Sequence, residues 1–207
     1  MKKTKLSTAA FGTILGIAGI EHGVGEILQG NKIAGNLFIK SWPDNRLYDI
    51  LAGEPAFTIL TELPIYITGI IAIIVSSLII VWAVFFLERK YGKFIFTGLI
   101  LSQFLFGGGM AGPVLMGILL SWVSFKIDSK KQLFKKNIPI LKILKAMWKY
   151  VFPISIVCWF SLWPGLVLIG AADFYPTAST VYILSALSLI TFVLSIISAL
   201  ACDNLKK

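Results

Sequence analysis

Side chains able to do chemistry are scarce in this chain, and they concentrate in one stretch. Residues 20–31 read IEHGVGEILQGN and hold Glu21, His22 and Glu26, with His22 the single histidine of the sequence. Ionisable groups within or at the edge of a long apolar segment are costly, so they call for a use. His22 and Glu26 stand at i and i+4, a spacing that lets two side chains meet on one helix face. Three chemistries fit the pair. It can be a hydrogen-bonded structural contact. It can attract or pass a proton or cation, because imidazole titrates near neutral pH. It can bind a metal such as zinc or manganese, with Glu21 or Glu62 completing the site. One histidine is few for catalytic zinc, which usually takes two or three, and no H-E-x-x-H motif occurs. The sequence assigns neither catalytic residues nor a cofactor.

The elements that must position these groups follow from composition. The chain has 207 residues, 57% hydrophobic and only 14% charged. A soluble domain is about 45–50% apolar and about 25% charged, and one small core cannot hide the excess. Several runs reach the roughly 20 apolar residues needed to cross a bilayer as a helix. They are continuously apolar, which speaks against the alternating strands of a membrane barrel. The two cysteines, Cys158 and Cys202, lie in or beside apolar runs and define no disulfide framework.

In chain order, Lys2, Lys3 and Lys5 precede an apolar run from about Leu6 to Leu28. That pattern also describes a signal peptide, but the run is long and no clear A-x-A site follows, so an uncleaved first membrane helix is expected. Residues 30–55 form a turn-rich connection with Trp42 and Tyr48 suited to the headgroup layer. The next run, about Phe57 to Leu87, exceeds one crossing; Glu62 and Pro64 suggest that its start lies outside the hydrocarbon. Residues 94–125 are apolar but broken by FGGGMAGP at 106–113, so two short helices joined by a glycine-rich turn are expected. Further crossings are expected over 151–170 and 180–201.

Charge orients this scheme. Basic loops stay in the cytoplasm. With both termini, residues 88–93 and residues 126–150 inside, all of the 19 basic residues except Lys32, Lys40 and Arg46 are inside. Of the 10 acidic residues only Glu88, Asp128 and Asp203 are. Residues 94–125 therefore cross twice or not at all. Limbs of about 13–16 residues span about 20–24 Å, short of the roughly 30 Å hydrocarbon core. They are either two short buried helices or a re-entrant hairpin.

The expected fold is thus an all-α polytopic membrane helix bundle of six membrane helices, the third and fourth short, forming one integral domain over 1–207. An inner-face amphipathic helix is added at 139–150. There Lys142, Lys145 and Lys149 share an arc of about 60°, opposite a mainly apolar side, which suits contact with anionic lipids. The alternative is a cytoplasmic or membrane protein partner; nucleic acid is not expected, because the lysines border the membrane. The expected location is a bacterial or archaeal cell membrane.

Gly12, Gly16, Gly19 and Gly23 form a stripe within about 60° on the first helix, a surface for close helix packing. His22, Glu26 and Gln29 lie on its flank, and Glu21 points nearly opposite. Counted from Leu6, His22 is about 24 Å and Glu26 about 30 Å along the helix, so both belong to the outer part of the membrane. Glu62 is expected at a similar level, gathering with them beneath the 30–55 loop. Ser188, Ser195 and Ser198 share a face of the last helix that suits packing. No P-loop, dinucleotide fingerprint or nucleophile elbow is present. Three function classes remain: a transport-type protein or membrane subunit handling a cation, proton or small solute; a membrane-embedded enzyme; and a non-catalytic accessory, immunity or assembly protein.

Overall fold

A computed structural model describes residues 2–43, 55–109, 112–127, 139–165 and 176–205. The turn residues 44–54, Met110 and Ala111, the basic segment 128–138, the 166–175 connection with Asp173, and Lys206 and Lys207 lie outside the described residues. The described chain is mostly helical. Its helices are α1 (Lys3–Leu28), α2 (Ile65–Val81), α3 (Gly92–Leu105), α4 (Ile118–Ser124), α5 (Pro139–Phe160) and α6 (Ala178–Asn204). Single π-helical stretches extend α2 over Trp82–Phe86, precede α4 over Gly112–Gly117, and follow α5 over Ser161–Gly165.

Among the described residues two helices are long and apolar enough to cross a membrane, Ile65–Phe86 and Ala178–Asn204. Gly92–Leu105 and Val114–Ser124 are shorter apolar helices, as the glycine-rich break requires. Two expectations change. Residues 139–150 do not form a separate surface helix. They continue through Pro153 into the following apolar run as one 22-residue helix; proline is tolerated in apolar helices whose freed backbone groups are satisfied locally. The 30–64 connection also carries a two-stranded antiparallel pair, β1 (Phe38–Lys40) and β2 (Pro55–Phe57), with Ile39 opposite Ala56.

The chain divides into two compact units, residues 12–121 and residues 1–11 with 122–207. In the first, α2 and α3 are joined by a tight turn, with Tyr91 at φ 63 and Gly92 N–H donating to Arg89 O at 2.9 Å. The glycine stripe of α1 packs here. A Cβ on Gly12 would stand 2.6 Å from Ala83 Cβ, one on Gly16 2.7 Å from Ser76 O, and one on Gly23 2.6 Å from Gly69 O. Only hydrogen in place of a methyl lets α2 come this close. The outer surface is apolar: Ile70, Ile74, Leu78 and Phe85 of the α2 run are exposed, while Thr68, Ser76 and Gln103 are fully buried.

In the second unit α5 and α6 pack against each other around Phe11, which meets Phe192 edge-on at 4.8 Å and Phe152 at 6.1 Å. Ser188, Ser195 and Ser198 are buried as their shared face predicts. Asp203 accepts the backbone N–H groups of Lys3 (3.0 Å) and Thr4 (2.8 Å). These are among the orphan donors of the α1 N-terminus, which a carboxylate satisfies well. The two ends of the chain therefore meet. Lys2 Nζ donates to Ile127 O at 2.6 Å, bringing the end of the α4 segment to the same place.

Candidate functional site

The last two turns of α1 are enclosed from three directions. Gly25 admits the 41–42 segment: a Cβ there would collide with Ser41 O and stand 2.7 Å from Trp42 Cδ2. Gln29 fixes the same segment by donating Nε2–H to Lys40 O at 2.8 Å. Ser41 is thereby held against α1, and its hydroxyl is hydrogen-bonded to His22 Nδ1 at 2.6 Å. His22 is 4% exposed.

From the second direction comes α2. Gly23 and Gly69 cross so closely that a Cβ on Gly69 would lie 2.9 Å from Glu26 Cβ. This crossing brings the Thr68 hydroxyl to 2.5 Å from Glu26 Oε2. The same hydroxyl lies 2.7 Å from Ile65 O, one turn back on α2. Glu26 is completely buried, and its second oxygen, Oε1, has no hydrogen-bond partner among the described residues.

The glycine turn after α3 closes the site. Gly107 (φ 93) and Gly109 (φ 90) hold backbone conformations that L side chains rarely adopt. Both lack the atom that would block the site: a Cβ on Gly107 would stand 2.6 Å from Glu26 Oε1 and 2.7 Å from Oε2, and one on Gly109 2.7 Å from His22 Nε2. The turn is anchored to the 57–59 segment. Gly107 N–H donates to Phe57 O (2.9 Å) and Ile59 N–H to Leu105 O (3.0 Å), and Thr58 bridges Phe106. Residues 106–109 are therefore a cover laid over His22 and Glu26.

Deeper along α1 lies a second polar layer. Gln103 of α3, fully buried, donates Nε2–H to Leu15 O (3.1 Å) and to Ser76 Oγ (2.9 Å). Gly19 makes room for it, since a Cβ there would collide with Gln103 and Ser76.

His22 and Glu26 thus occupy one enclosed site, with Ser41 and Thr68 as their hydrogen-bond partners. Glu62 does not join them: it is exposed in the turn before α2, where Pro64 bridges Ile33 and the chain has not yet entered the helix. Glu21, a turn position away on α1, is half-buried. No group of three or more His, Cys, Asp or Glu able to hold a metal occurs among the described residues, so the zinc or manganese set of His22 and Glu26 with Glu21 or Glu62 is not assembled. Lys142, Lys145 and Lys149 are exposed on α5. Thr68, Ser41 and Gln103 carried no sequence signal as site residues; single hydroxyls and amides in apolar runs lack diagnostic spacing. No family model, curated protein or solved structure matches the chain.

Proposed function

We propose that the protein is a small multi-pass membrane protein of transport type that takes up a proton, or a small cation in its place, at Glu26. One observation carries this reading. Thr68 Oγ1 lies 2.5 Å from Glu26 Oε2 and 2.7 Å from Ile65 O, yet a hydroxyl has one hydrogen to donate. A proton on Glu26 satisfies both contacts. The carboxyl then donates to Thr68 Oγ1, and Thr68 donates to Ile65 O. The proton also removes the need to bury an unpaired charge, which would otherwise cost several kcal/mol. A small cation seated against Oε1 would serve the same end. His22, one turn away, is the adjoining polar group, hydrogen-bonded to Ser41. Gln103 with Ser76 is a second polar station about 10 Å further along α1.

The topology belongs to the same proposal. Six membrane helices cross a bacterial or archaeal cell membrane, and both termini and the basic segments are cytoplasmic. The joining of Lys3 and Thr4 to Asp203 supports termini on one side. Seating of the glycine turn against the 57–59 segment supports two short crossings for 94–125 that reach the outer loop, with the proton site near the outer face.

The test is flux. Purified protein is reconstituted into liposomes holding a pH-sensitive dye, with sodium or potassium gradients as parallel arms. Wild-type protein should dissipate a pH or cation gradient, and Glu26→Gln should lower that rate at least about a hundredfold, the lower end of what a positioned proton-transfer group contributes. Equal rates in empty, wild-type and Glu26→Gln liposomes would leave the pair as a structural contact and end the transport reading.

A further inference from the structure

We propose that the four lysines at the meeting point of the chain termini form a binding site for the phosphate headgroup of an anionic glycerophospholipid. A cavity of ≈ 400 Å³ is lined by Lys3, Lys142, Lys145, Ala146, Trp148, Lys149 and Cys202. That volume is in the range of small-molecule sites. Its floor is firmly built. Trp148 packs with Ala199, Cys202, Leu6 and Phe152, stacks on Phe152 at 4.9 Å, and donates its indole N–H to Ser7 Oγ at 3.2 Å. Lys3 Nζ stands 4.2 Å over the Trp148 ring. Asp203, the nearby carboxylate, is engaged with the backbone of Lys3 and Thr4. None of the four lysines forms an ion pair with a carboxylate among the described residues. Four positive charges are thus gathered around one opening.

The helical wheel explains why these lysines line a cavity. Their arc begins about 40° from Leu141 and about 60° from Trp148, the two buried residues of this part of α5. They flank its packed edge, while Ile140 and Ile143 take the outward face. Lysine recognises phosphate as a point charge. The apolar floor and the lysine stems favour an anion that carries an apolar body. Beyond the lysines, α5 exposes Ile154, Val157 and Phe160, so one helix passes from headgroup-like to acyl-like surroundings. This order matches a phospholipid and gives free phosphate nothing for its second half.

The full chain in detergent is titrated calorimetrically with short-chain phosphatidylglycerol, short-chain phosphatidylcholine and inorganic phosphate. Phosphatidylglycerol should bind at least tenfold more tightly than phosphatidylcholine, and its affinity should fall as salt rises. Replacing Lys3, Lys142, Lys145 and Lys149 together by Gln should weaken it at least about tenfold, given the worth of each lysine beside an anionic surface. Arg at the same four positions should retain it, which separates charge from folding. Replacing Arg89, Lys90 and Lys93 by Gln should leave it unchanged. The proposal is overturned if phosphatidylcholine binds equally, if the Gln variant binds like wild type, if affinity ignores salt, or if inorganic phosphate displaces the lipid at equal concentration.

Discussion

Gly107→Ala isolates the contact between the glycine turn and Glu26. Two costs add. Alanine at φ 93 occupies a sparsely populated backbone region, worth about 1–3 kcal/mol. Its methyl would also stand 2.6 Å from Oε1 and 3.0 Å from Cδ of Glu26, too close to persist. Glu26 must then shift away from Thr68, losing a hydrogen bond worth about 1 kcal/mol. Together these give about 2–4 kcal/mol. In a chain of this size that lowers the melting temperature by about 4–16 °C. The controls come from the same fold. Gly30, at φ 71 with open space around its Cβ position, carries the backbone cost without the clash, so Gly30→Ala should lose about 1–2 kcal/mol. Gly98, inside α3 with nothing within 4 Å, should tolerate alanine or gain about 0.5–1 kcal/mol from helix propensity. Melts of the purified variants in detergent rank them. In a Glu26→Ala background the Gly107→Ala cost should drop to that of Gly30→Ala. If it does not, or if Gly107→Ala and Gly30→Ala melt alike from the start, the turn does not bear on Glu26.

Other perturbations probe the frame. Gly23→Ala should cost about 1–3 kcal/mol from overpacking, because its methyl meets the Gly69 carbonyl, part of a backbone that cannot rotate aside; melting against Gly98→Ala measures it. Gln103→Leu leaves Ser76 and the Leu15 carbonyl without their donor, and should cost about 1–3 kcal/mol in the same melts. Asp203→Ala should remove about 0.5–2 kcal/mol of capping, seen as faster amide exchange in the first turn of α1.

Much of this frame was readable before any coordinates. The glycine spacing of α1 predicted a packed stripe with His22 and Glu26 on its flank, and the structure places α2 on that stripe. Pro64 and Glu62 suggested that the start of the second apolar run lies outside the hydrocarbon; the structure shows that its helix begins at Ile65. The triple glycine predicted two short helices. The partners were not readable. Which hydroxyl reaches Glu26 depends on the register of α2 against α1, set by the Gly23–Gly69 crossing. Depth along the chain grouped Glu62 with Glu26, whereas direction around the helix start separates them. The lysines of α5 share one arc on the helical wheel, and that arc borders the buried residues Leu141 and Trp148; an edge of contact is invisible to periodicity alone. The strand pair was missed because three-residue strands leave too little alternation to detect.

The most direct test of a proton on Glu26 is the infrared spectrum of the reconstituted protein at neutral pH, compared in water and heavy water. The account predicts the carbonyl stretch of a protonated carboxyl, sensitive to deuterium exchange, absent in Glu26→Gln, retained in Glu62→Gln, and shifted in Thr68→Val. A spectrum with no such band, or a band that survives Glu26→Gln, would contradict it.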